Sequence, residues 1–198
     1  MVINNQMNIP SLTFERIKND TKRLTIQSSD SYIQTYPEFI QYFRNIDSIE
    51  KHHLLISSHF VYGWMPTIIT LDLTKIDEVV SLLNAAKDGI ELSIDDLSIL
   101  KPCINNSMVG LSKLLHFINP EMYAIWDSRI FRYVTGKKSQ YGIDRPELYL
   151  QYLSALKSIS SNKDYTALHE AIEKQMGYPI THFRGIEIVM FETDKQTN

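Results

Sequence analysis

A chain of 198 residues, 43% apolar and 11% aromatic, can bury a core in one domain, which excludes a disordered polypeptide. A formal charge of −3 excludes a protein that coats nucleic acid through bulk electrostatics alone, and a single cysteine excludes an internal disulfide or a cysteine-built metal cage. No window approaches about 18 uninterrupted apolar residues, and Met1 to Pro10 lacks the basic start and apolar run of a signal peptide, so the expectation is a soluble, cytoplasmic protein with no membrane partner.

In chain order, Ser11 or Thr13 caps an amphipathic run carrying Leu12, Phe14, Ile17 and Leu24, which predicts a first helix. Tyr32, Ile33, Tyr36, Phe39, Ile40 and Phe43 fall at helical spacing, with Pro37 read as the start of a new helix. Ile49, Leu54, Leu55, Ile56 and Phe60 predict another, ending at residues 61–66. Residues 67–71 have the composition of a strand but stand isolated among helices, so they read as a buried connector. A helix over 72–86, capped by Asp72 or Thr74 and stopped by Gly89, precedes one that Ser93 to Asp96 caps and Asn105 to Ser107 ends.

Leu111, Leu114, Leu115 and Ile118 predict a helix that Asn119-Pro120 stops, and Asp127 sits where an N-cap belongs, ahead of Ile130, Phe131 and Val134. Residues 135–142 are the most loop-like part of the chain, polar, basic and holding two glycines. Helices follow from Arg145-Pro146-Glu147, from 165 to 176 with Gly177 as stop, and from 180 to 191. The fold class is all-α, about eight to ten helices with short connections. They form one domain over 1–198, or two lobes made of about 1–70 with 140–198 and about 71–139.

The stretch from Lys101 to Arg145 is locally basic, through Lys101, Lys113, Arg129, Arg132, Lys137, Lys138 and Arg145, enough to hold a short length of phosphate backbone. The helical hairpin around Asn105 to Gly110 can offer backbone N–H groups near Gly110, Leu111 and Ser112 to a phosphate, or simply pack. Tyr62 and Trp64 suit either a pocket mouth, where a flipped base would stack, or a buried helix end. His52, His53 and His59 lack metal-ligand spacing, Cys103 reads as a core residue, and Arg184 with Glu187 reads as an internal ion pair or a clamp for a carboxylate or phosphate. No metal or cofactor is expected.

Residues 108–117, Met-Val-Gly-Leu-Ser-Lys-Leu-Leu-His-Phe, followed by 123–132, Tyr-Ala-Ile-Trp-Asp-Ser-Arg-Ile-Phe-Arg, resemble the core of the helix-hairpin-helix DNA glycosylases, most of all their archaeal 8-oxoguanine branch. The resemblance implies a helix-hairpin-helix glycosylase-like fold, a DNA partner and cleavage of the N-glycosidic bond of a damaged or modified base, without a lyase step. It makes Asp127, with Lys113, the candidate catalytic residues. It places DNA contacts at Gly110, Leu111, Ser112, Lys113, Ser128, Arg129, Lys137 and Lys138, and base stacking at Trp64, Trp126 or Tyr62. Two departures stand out: Ser112 occupies the position of the family's lysine, with Lys113 one residue late and about 100° around the helix, and Met108 replaces a hairpin glycine. The alternative is a catalytically silent helical module, on the same scaffold, that binds DNA or a protein partner.

Overall fold

The computed structural model describes residues 9, 12–27, 29–64 and 69–197, the side chain of Trp64 excepted. Among them are ten helices: α1 (Phe14–Thr21), α2 (Ser31–Arg44), α3 (Lys51–Trp64), α4 (Ile76–Lys87), α5 (Ile94–Cys103), α6 (Met108–Ile118), α7 (Ser128–Thr135), α8 (Pro146–Ser160), α9 (Tyr165–Met176) and α10 (His182–Thr197). The described residues contain no named strand, and the described end of the connector makes one isolated bridge, Leu71 to Ile104. The all-α expectation is therefore met. None of the described helices is long and apolar enough to cross a membrane. Of the expected features, Ser11 as cap, residues 65–68 and the Trp64 side chain lie outside the described residues.

The central element is α6. Its side chains are buried on every face except at Val109, as befits a helix that is apolar all round, and α2, α3, α4 and α5 pack against it. Gly110 permits the closest approach. A Cβ there would stand 2.8 and 2.9 Å from ring carbons of the buried Tyr62 on α3 and closer still to its hydroxyl. Gly110→Ala is expected to cost about 1–3 kcal/mol in urea denaturation through overpacking. Adding Tyr62→Leu should recover most of that loss, and independent effects of the two changes would refute the contact.

Three elements depart from their sequence patterns for identifiable reasons. Pro37 does not start a helix; it lies inside α2, where its missing N–H leaves the Ile33 carbonyl without its usual donor. The Tyr178 hydroxyl donates to that carbonyl at 2.8 Å, so the helix runs on unbroken. Asp72 does not cap α4. Its carboxylate instead accepts from the backbone and hydroxyl of Thr74, closing a separate turn ahead of Ile76. The last helix continues past its apolar pattern because Glu192 and Asp194 are buried by partners elsewhere. Tyr32 donates to Glu192, while Arg132 holds Asp194 with contacts of 2.5 and 3.1 Å and Arg129 reaches it at 3.5 Å.

Candidate active site

The backbone from 123 to 126 is buried yet belongs to no helix, so each of its carbonyls needs a donor from outside. Side chains supply three of them outright, and the Ser112 hydroxyl, also 3.1 Å from Val109 O, shares its single proton with the fourth. His116 Nδ1 donates to Tyr123 O at 2.8 Å, Tyr149 to Ala124 O at 3.0 Å, and Tyr152 to Ile125 O at 3.2 Å. Ser112 Oγ lies 3.2 Å from Trp126 O as donor and accepts from Trp126 N at 3.0 Å. Lacing of this kind fixes where the segment ends, and it ends at Asp127.

Asp127 is the N-cap of α7. Its Oδ1 accepts from Arg129 N at 2.9 Å and Ile130 N at 3.0 Å, which seats a half-buried carboxylate on the positive end of the helix. Because Ser112 binds the Trp126 peptide, its neighbour Lys113 comes within the electrostatic reach of Asp127. Lys113 is only 7% exposed, and burial lowers the pKa of its amine, with Arg184 adding to the fall and Asp127 and Glu187 opposing it.

From α10 come Arg184 and Glu187, three residues apart on one face, both about 2% exposed and joined by Nη1–Oε1 at 2.5 Å. The expected internal ion pair is present. Its remaining polar atoms are not satisfied: Arg184 Nε and Nη2 and Glu187 Oε2 are buried without a hydrogen-bond partner. Burial pushes the Glu187 carboxyl up to about 7, and the Arg184 guanidinium keeps it from rising further. The guanidinium carbon lies 4.5 Å from the centre of the Tyr36 ring, over its negative face. Two cations, Lys113 and Arg184, and two carboxylates, Asp127 and Glu187, therefore share one largely dry region.

Other candidates fall elsewhere. The Gly110 amide is taken by Ser107 Oγ at 3.4 Å and the Leu111 amide by Ser107 O at 3.0 Å, while Met108 N donates to Asp144 Oδ1 at 2.9 Å. The start of α6 is thus capped from within, which corrects the reading of Gly110, Leu111 and Ser112 as an open phosphate grip. Trp126 is fully buried and donates its indole N–H to Ile143 O at 2.8 Å, and Tyr62 is buried against Gly110, so both are core residues and not stacking platforms. Ser128 opens α7 half-buried, and Arg129 is engaged with Asp194. Lys137 and Lys138 are exposed on the loop after α7. Cys103 is buried, with burial raising its thiol to about 11, and among the described residues no three His, Cys, Asp or Glu side chains gather as a metal site.

Arg184 and Glu187 are the members that sequence reasoning weighted least. Their only signal was an Arg and a Glu three apart within the otherwise apolar first half of a helix. Fold and site together define an all-helical protein in which buried ionisable side chains from α6 and α10 lie within electrostatic reach of the carboxylate that caps α7. No protein-family model, no curated protein and no solved structure matches the chain.

Proposed function

We propose that the chain is a DNA-binding protein of helix-hairpin-helix glycosylase type that removes a damaged or modified base by monofunctional N-glycosidic cleavage. The observation that carries this reading is the Asp127 carboxylate, half-buried and held on two backbone amides at the start of α7 where the laced segment ends, within electrostatic reach of a buried ion pair with unused polar atoms. Hydrophobic packing alone does not call for such an arrangement, since buried pairs rarely add net stability.

In the proposed reaction a water oxygen bonds to C1′ of the sugar while the C1′–N bond breaks, and the bonding pair leaves with the base. Asp127 faces the positive charge that grows on the sugar and takes the water's proton, and the departing base is protonated from solvent. Lys113 and Arg184 offset the negative charge of the carboxylates, of which Glu187 exchanges its proton near neutral pH.

Asp127→Asn is the decisive variant, because asparagine caps a helix about as well as aspartate and the substitution removes charge without removing the cap. Base release from duplexes carrying a panel of single lesions should fall by about 100- to 1000-fold while thermal stability stays nearly constant. Equal release by both proteins removes the assignment.

A second reading, the catalytically silent DNA- or protein-binding module, draws support from the internally capped start of α6 and the engagement of Arg129 and Arg132 by Asp194. Salt-dependent DNA binding without base release from any lesion would favour it.

A further inference from the structure

The turn between α5 and α6 and the loop between α7 and α8 are distant in sequence but joined in the fold. Met108 N donates to Asp144 Oδ1 at 2.9 Å, Lys101 Nζ to Asp144 O at 3.2 Å, and the Trp126 indole to Ile143 O at 2.8 Å. Gly136 and Gly142, at φ 68° and 93°, turn the chain at the two ends of the loop, as glycine alone does without strain. The base of the loop is therefore stapled to the protein while residues 137–141 project into solvent.

On this tip stands Tyr141, 83% exposed, the most exposed of the large hydrophobic side chains among the described residues. Lys137 and Lys138 precede it, and Lys101 and Arg145 belong to the segments stapled together below. Two carboxylates lie in the same stretch of chain, Asp144, which accepts from the Met108 amide, and Glu147, 3.7 Å from Arg145, so these four cations outnumber them. An amphipathic ring held out among cations by an anchored loop combines the two things an unpaired base needs: a face to stack on and a positive surface for its backbone.

We infer that Tyr141, with Lys137 and Lys138, forms a contact site for an unpaired base in a DNA strand, separate from the Asp127 cluster at the opposite end of α7. This rests on the DNA-binding part of the proposed function and not on its chemistry. A paired base presents no face to Tyr141, so the site should favour a bulged or single-stranded position over an intact duplex.

The test is fluorescence anisotropy with two labelled duplexes, one fully paired and one carrying a single-base bulge, titrated with the full chain. Wild-type protein should bind the bulged duplex more tightly, Tyr141→Ala should weaken that binding by roughly 5- to 150-fold, and Tyr141→Phe should retain it. The paired duplex should respond far less. Unchanged binding of the bulged duplex by Tyr141→Ala, or equal losses in the Ala and Phe variants, overturns the inference, as does failure of the wild type to bind either duplex. Because binding is read without cleavage, the two proposals separate. Loss of affinity in Tyr141→Ala with no base release by wild type sustains the contact site and removes the enzyme, whereas release abolished by Asp127→Asn with Tyr141→Ala binding normally does the reverse.

Discussion

Glu187→Gln is expected to destabilise the protein by about 3–5 kcal/mol, because it leaves the Arg184 guanidinium buried without its counter-charge. Arg184→Met should cost less. The carboxyl left behind can take up a proton, and burial already holds its pKa near 7, so the penalty should shrink as the pH falls. The double replacement Arg184→Met with Glu187→Leu removes both charges and the three unsatisfied atoms at once, and should recover most or all of the loss. Urea denaturation of the three variants decides the matter: a Glu187→Gln cost below about 1 kcal/mol would mean that the pair is not buried as an ion pair. The double variant also separates stability from function. If it folds as well as wild type yet releases no base, the pair belongs to the site and not to the core.

Acid should unfold the protein through His116. The ring is completely buried, with Nδ1 donating to Tyr123 O and Nε2 accepting from the Tyr36 hydroxyl at 2.8 Å, so both nitrogens are used by the neutral form. Burial, reinforced by the nearby Arg184 charge, lowers its pKa to about 3, against the pull of the Tyr123 carbonyl. The unfolded chain therefore takes up a proton near pH 6.5 that the folded chain refuses. The stability that the neutral ring contributes is fully present above about pH 6.5 and is lost as the pH falls toward 3, at up to about 1.4 kcal/mol per unit. Glu187 acts oppositely. Its raised pKa makes the folded state bind a proton that the unfolded state has released, so from about pH 4.5 to 7 its contribution falls as pH rises. Comparing wild type with His116→Gln, which keeps a donor and an acceptor but cannot titrate, cancels the Glu187 contribution. Thermal melts between pH 7 and pH 4.5 should show wild type losing roughly 2.5 kcal/mol more than the variant, and parallel curves would contradict a buried neutral ring.

Much of the helical layout was legible in the chain. The Ser93 capping box, the Asp127 cap, and the stops at Asn119, Gly89 and Gly177 all act through neighbours within a few residues, so local pattern and local structure agree. Pro37 misled because its cost is cancelled by Tyr178, a donor far away in sequence. The end of α10 was missed because Glu192 and Asp194 are polar in sequence yet buried by Tyr32, Arg129 and Arg132. Trp126 and Tyr62 carry no mark that distinguishes a stacking platform from a core aromatic. What distinguishes them is the Ile143 carbonyl and the bare backbone of Gly110.

By itself, then, the sequence determined that the chain is all-helical and that Asp127 opens a helix, because caps, stops and apolar spacing are short-range instructions. Only the tertiary structure decided that Lys113, Arg184 and Glu187 share a dry region with that aspartate, and that Gly110 is a packing contact instead of a phosphate grip. Burial and electrostatic field depend on what folds over a side chain, and the segments that fold over these come from across the whole length of the chain.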